Sequence, residues 1–324
     1  MERNALNLSN LFEDIDTVVI TDSQKSYSRL KKLGVNTWLC SDQLLTNPEI
    51  LLLSKHNSRF RANFWLKTVL RFFALEEYMI ATNLEEVLHI EADVWISPNF
   101  PIEKIRRVSS KLAFPLKSHN QGIASTVYIP SLLILSIFNR FILDTFREDP
   151  LSTDVSILGC FHIRYPELFF NLPTALPLKN FHSDFTHYKD SIDLSENFNL
   201  FDGLFDASSL GIFYTGIDPR NNWGWRDLFV KLDHKIDFAN STLLMKDQMP
   251  FMHYGDVIVP IFSLHVHSKD DRFFDYESSV RRLNYISIQD QSHIYREFSL
   301  LQTPKILIKT LLIKLILFFR DFFR

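Results

Sequence analysis

Val87-Leu88-His89-Ile90-Glu91-Ala92-Asp93-Val94-Trp95-Ile96-Ser97-Pro98 is an apolar run broken by two carboxylates and closed by a proline. Val87 to Ile90 reads as a buried strand. Side chains two apart on an extended chain share a face, so Glu91 and Asp93 project together from the strand's carboxyl end. That end is where open α/β sheets bind ligands. Two like charges side by side need a cation, and a carboxylate pair suits Mn²⁺ or Mg²⁺ with substrate phosphates completing the shell. Taken alone, an acid-x-acid triplet is more often a solvated turn, so its meaning depends on the rest of the chain.

Upstream, Ile15 to Asp22 is a β-branched run ending in polar residues, the pattern of a buried first strand with a ligand-facing loop after Thr21. Ser23 to Leu33 forms a helix that Gly34 ends, and Val35 to Cys40 gives a second strand. This is the β-α-β opening of a doubly wound sheet. Apolar residues at near-helical spacing from Asn63 to Thr82 predict a long helix leading into the acidic strand. Arg71 falls inside it among Phe72, Phe73 and Leu75. Facing the core, its charge needs a partner such as Asp93 or a phosphate; facing out, it reaches solvent along its stem.

Downstream the pattern gives a short helix from Ile102 to Val108, a strand around Lys111 to Pro115, another from Gly122 to Ile129, and a helix from Ser131 to Phe146. Thr153 is positioned to cap a further helix with Asp154 in its first turn, which capping alone would explain. Leu172 to Asn199, rich in Pro, Asn, Asp, His and Ser, reads as a long connection over the surface or over a site. Phe205 to Trp223 mixes small residues with Asp, Arg and Asn, which suits either close backbone approach to a ligand or a cluster of turns. His265 and His267 alternate onto one strand face, as a core pair or as half of a metal site.

Composition narrows the function classes. The chain has 324 residues, 46% hydrophobic and 23% charged, which is enough for a sizeable core. Its formal charge of −3 gives no general basic face for nucleic acid, so no nucleic-acid partner is expected. Cys40 and Cys160 fit neither a disulfide framework nor a zinc spacing, and both are expected buried in a reducing compartment. The first ten residues lack the apolar core of a signal peptide, so a cytoplasmic location is expected. The tail, 304–324, carries Leu307, Ile308, Leu311, Leu312, Leu315, Phe318, Phe319 and Phe322 on one wide stripe, with Lys305, Lys309, Lys314, Arg320 and Arg324 off it. These charges interrupt the uncharged span of roughly 18–20 residues that a bilayer crossing needs. A basic amphipathic helix in the interface of a membrane's cytoplasmic face is expected, the alternative being a terminal helix docked on the protein's own core.

In order, Arg71-Phe72, His89 to Val94, Phe205-Asp206 with Gly211, Gly216 to Asn221, and His265 to Lys269 resemble the motifs of nucleotide-sugar-dependent glycosyltransferases of the GT-A fold. The resemblance spans about Ile15 to Lys269. It implies an α/β fold, GT-A-like and thus Rossmann-like, with a mixed, mainly parallel sheet flanked by helices. Residues 1–303 would form the transferase domain and 304–324 the membrane-associating helix.

Glu91-Ala92-Asp93 then stands for the family's Asp-x-Asp motif, Glu replacing the first Asp with one more methylene. The resemblance implies Asp93 and Glu91 as metal ligands, completed by His265 or His267. It implies Lys269 at the diphosphate, Arg71 on a metal-site carboxylate or the nucleotide, and Thr21 and Asp22 in the nucleotide loop. Asp154 and Asp206 would flank the reacting sugar as the catalytic pair. The implied activity is hexosyl transfer from a nucleoside-diphosphate sugar to a glycan or lipid-linked acceptor, with Mn²⁺ or Mg²⁺ as cofactor. Two other readings use the same residues: a metal hydrolase of phosphoesters or sugar nucleotides, and a silent sugar-nucleotide-binding protein at a membrane.

Overall fold

The computed structural model describes residues 2–11, 15–45, 48–55, 63–177, 194–216, 241–246 and 249–268. Lys269, Ile217 to Asn221 and the tail 304–324 lie outside them, and so does the middle of the 172–199 connection.

The N-terminal helix α1 (Glu2–Leu11) precedes β1 (Val19–Thr21), α2 (Gln24–Lys32) and β2 (Thr37–Leu39). Ser23 caps α2 by accepting the Ser26 amide, and Gly34 beyond its end takes φ +78°, which costs a glycine nothing. β1 and β2 pair in parallel, as the β-α-β pattern requires. Two short helices, α3 (Asp42–Leu45) and α4 (Pro48–Leu53), lead to α5 (Phe64–Thr82), whose buried positions from Leu66 to Met79 make it the spine of the largest apolar cluster.

After α5 come β3 (Val87–Ile90), β4 (Val94–Ile96), α6 (Ile102–Val108), β5 (Leu112–Ser118), β6 (Gln121–Gly122) and β7 (Thr126–Ile129). Helices α7 (Leu132–Glu148) and α8 (Asp154–Arg164) and strand β8 (Phe169–Leu172) follow. Ser131 caps α7, and Thr153 caps α8 in a reciprocal box with Ser156. The chain continues through α9 (Phe198–Phe201), β9 (Leu204–Phe205), α10 (Ser209–Thr215), β10 (Ser241–Lys246), β11 (Met249–Tyr254) and β12 (Val257–His265).

The class is α/β, but the expected single, mainly parallel sheet is corrected. Among the described residues the strands form a two-stranded sheet, β1-β2, and two of five strands: β3-β7-β5-β6 with β8 on β5, and β10-β11-β12-β4 with β9 on β12. Of nine pairings among the described residues, three are parallel and six antiparallel. The reason lies in the connections. Gly255, at φ +58°, and Asp256 turn β11 straight back into β12, with Tyr254 opposite Val257. His119 and Asn120 do the same between β5 and β6, where Ser118 faces Gln121. Two-residue links permit only antiparallel neighbours, because parallel ones need a crossover.

Strands β3 and β4, three residues apart, belong to different sheets, so the chain passes from one to the other at Glu91-Ala92-Asp93. Beyond that seam Val94, Trp95 and Ile96 are fully buried. Trp95 packs with β10, β11 and β12, while Val94 and Ile96 pack with Phe100, Phe205 and Phe262 on the opposite face. Cys40 is buried as expected, whereas Cys160 is exposed because it falls on the outer side of α8. No helix among the described residues is long and apolar enough to cross a membrane.

Candidate metal centre

The seam is built by backbone hydrogen bonds before any charged group is counted. The Glu91 amide donates to the Ser125 carbonyl at 3.0 Å, the Val94 amide to the Glu91 carbonyl at 3.0 Å, and the Val266 amide to the Asp93 carbonyl at 2.7 Å. From α1, the buried Asn4 side-chain amide donates to the carbonyls of Ala92 (3.0 Å) and Val94 (2.9 Å). The turn is thereby held from both sides of its backbone, which aims its two carboxylates. Register does the rest: β12 pairs with β4 so that His265 lies opposite Val94. A residue 172 positions from Asp93 thus arrives with its Nε2 3.0 Å from Asp93 Oδ2 and 3.6 Å from Glu91 Oε2.

One ligand atom each from Glu91, Asp93 and His265 lie within 4.8 Å of one another. The donor set, two carboxylates and an imidazole, is one a hard divalent ion accepts. The separations also fit, since neighbouring ligands about 2.1 Å from an octahedral ion stand about 3 Å apart. His265 Nδ1 is buried with no hydrogen-bond partner among the described residues.

Arg71 projects from α5 onto the same group. It pairs with Glu91 through a short contact and with Asp154 Oδ2 at 3.2 Å. Of the partners expected for it, a site carboxylate is the one observed, and it is Glu91 rather than Asp93. Burial opposes its charge, but Glu91 and Asp154 outweigh that and raise its pKa. Burial would likewise raise the Glu91 carboxyl; Arg71 and His265 together hold it well below the usual carboxylate range. Asp154 goes the other way, because burial and the Glu91 charge outweigh Arg71 and raise it. His89, on the strand behind, is lowered to about 3 by burial and the Arg71 charge, and so is neutral.

Asp206 serves the backbone. Its carboxylate accepts from the amides of Leu210 (3.0 Å), Gly211 (2.8 Å) and His265 (2.9 Å), tying the first turn of α10 to the end of β12. Burial pushes its carboxyl up to about 6 against those bonds. Gly211 makes the approach feasible: a Cβ there would overlap the His265 carbonyl oxygen and stand 2.6 Å from Asp206 Oδ2. His267 lies beyond β12 with its ring stacked on His265, centroids 3.9 Å apart. Its Nε2 meets Ser208 Oγ at 2.9 Å, outside the Glu91-Asp93-His265 group. Burial and His265 hold its pKa well below the ordinary histidine value.

No known protein family, curated protein or solved structure matches this chain. The site is therefore read from its own geometry. A cleft of about 1110 Å³ opens from it between α1, β1, α5 and β3. Thr21, Asp22, Arg71, Glu91 and Asp93 all line this cleft, whereas His265, Asp154 and Asp206 lie behind its wall. Sequence reading missed Asn4 and Ser125, which act through partners remote in sequence.

Proposed function

We propose that the chain is a metal-dependent glycosyltransferase that moves a sugar from a nucleoside-diphosphate-sugar donor to a glycan or lipid-linked acceptor in surface polysaccharide synthesis. The observation that carries the reading is the meeting of Glu91, Asp93 and His265 at the end of a cleft walled by Thr21, Asp22 and Arg71. The order of motifs described above supports the same reading.

Glu91, Asp93 and His265 would hold a Mn²⁺ or Mg²⁺ ion, which would supply positive charge for the leaving diphosphate. The chain prepares that centre. Arg71 keeps Glu91 ionised, and Asp206 fixes the direction of His265 through its backbone amide. Thr21 and Asp22, at the carboxyl end of β1, face the donor's nucleoside. Asp154, behind Arg71, acts by orienting that guanidinium. The apolar, cationic tail holds the enzyme on the cytoplasmic face of a membrane. Deleting 304–324 is expected to release the protein from anionic vesicles and leave nucleotide binding intact; unchanged vesicle binding would refute the anchor.

The deciding experiment is calorimetric titration of UDP and of GDP with and without Mn²⁺. One nucleotide is expected to bind, and only with the metal present. If neither binds with Mn²⁺ present, the reading fails for these donors. If sugar nucleotide is cleaved at the same rate without acceptor, the protein is a hydrolase instead.

A further inference from the structure

Lys67 lies one helical turn before Arg71 on α5, so both cations project from one face, and both line the cleft. Their situations differ. The Arg71 side chain, 17% exposed, lies between Glu91 and Asp154 and is held there by two carboxylates. Lys67 pairs with Asp22 at 2.8 Å, and the two side chains are 52% and 36% exposed. An exposed pair of this kind contributes little and is screened by salt, so its members exchange readily for a better partner. The other arginine on the cleft wall, Arg106, is bound to Glu86 and Glu103, and its partner Glu86 also accepts from the Tyr128 hydroxyl.

The charge around the seam sets what a ligand must bring. Glu91, Asp93, Asp154 and Asp22 face Arg71 and Lys67, and a bound divalent ion would bring the count level. A diphosphate entering next adds negative charge that Arg71, already facing two carboxylates, does not offset. The lysine ammonium is a point charge on a flexible stem that can leave Asp22 and follow a phosphate oxygen.

We infer that Lys67 is the phosphate-binding cation of this site, exchanging Asp22 for one phosphate of a diphosphate-bearing ligand whose remaining oxygens face the Glu91-Asp93-His265 centre. The inference rests on the transferase reading and deepens it, by moving the diphosphate contact to a residue of α5. Asp22 then acts as a latch that keeps Lys67 pointed into the cleft until ligand arrives.

Inorganic pyrophosphate is the probe, because it needs no knowledge of the base. It is titrated in excess Mg²⁺ into the full chain and into Lys67→Met, Lys67→Arg and Asp22→Asn. Lys67→Met is expected to weaken pyrophosphate binding roughly tenfold, Lys67→Arg to retain most of it, and Asp22→Asn to tighten it. Mn²⁺ affinity measured alone should be the same in Lys67→Met as in the parent. Equal pyrophosphate affinity in Lys67→Met and parent would overturn the assignment of Lys67, and the transferase reading would survive if Asp93→Asn still abolished binding. Weaker binding in Asp22→Asn would overturn the latch. No pyrophosphate binding by the parent chain would overturn both the Lys67 assignment and the latch, while the transferase reading stands or falls on the nucleotide titration.

Discussion

Gly211 shows how closely single residues are fitted around the centre. Its α-carbon faces the His265 carbonyl and the Asp206 carboxylate at distances that leave no room for a methyl group. Gly211→Ala must therefore push α10 away from β12 and break the three amide bonds to Asp206. A loss of about 2–4 kcal/mol is expected in urea unfolding, together with weaker Mn²⁺ binding, although no metal ligand is altered. Cys40, on the wall of the same cleft, gives a pH signature of its own. Burial, helped by Glu77 and Asp22, pushes its thiol up to about 11. The folded state thus keeps a proton that the unfolded chain gives up near the ordinary value of 9.0. Stability contributed by this group is complete below that value and is lost as pH rises through 11. Cys40→Ala should flatten the alkaline limb of a stability–pH curve, and iodoacetamide should label native Cys40 far more slowly at pH 8 than it labels the exposed Cys160. Legibility at this scale was uneven. Glu91 and Asp93 were read as neighbours on one strand face, but the chain turns there, with the Val94 amide on the Glu91 carbonyl, so they meet through a turn between two strands. Asn4 could not be read, because its partners lie 88 and 90 positions away.

Elements carry these residues, and their own boundary signals govern how well they do so. Thr153 accepts the Ser156 amide while the Ser156 hydroxyl accepts from the Thr153 amide, and the next residue, Asp154, meets Arg71. Thr153→Ala should cost about 1 kcal/mol in thermal or urea unfolding. It should also loosen Arg71, read as a weaker metal-dependent nucleotide affinity, while Ser131→Ala at the cap of α7 should cost similar stability and leave that affinity unchanged. Helices were the most legible elements: α5, α6 and α7 fall within a residue or two of the ranges their apolar spacing predicts. The strands were less so: β1 and β3, expected buried, are half-buried on the cleft wall, and a short apolar run does not say which neighbour a strand takes. The run from Gly122 to Ile129 divides into β6 and β7 around Ile123-Ala124-Ser125, freeing Ser125 to hold the seam.

At the scale of the molecule, the centre joins the two large sheets, so filling it should stabilise the whole. A metal that binds the folded chain alone adds stability with its concentration, about 2.7 kcal/mol at one hundred times its dissociation constant. Mn²⁺ is therefore expected to raise the melting temperature and EDTA to reverse the rise. Asp93→Asn should melt near the metal-free parent, show no rise with Mn²⁺ and have no transfer activity; full activity in this variant would refute the centre's role. By itself the sequence determined the α/β class, the long helix α5 and the capped start of α8, since each follows from periods and spacings within a few residues. It picked out Glu91 and Asp93, but the turn that brings them together is set by long-range backbone bonds. Tertiary structure alone decided that β3 and β4 part into different sheets and that His265 rather than His267 faces the carboxylates. It alone decided, too, that Arg71 answers Glu91 and Asp154, and that Asp206 binds backbone. All of these depend on strand register and long-range pairing, which are set by burial against distant elements and leave no periodic trace along the chain.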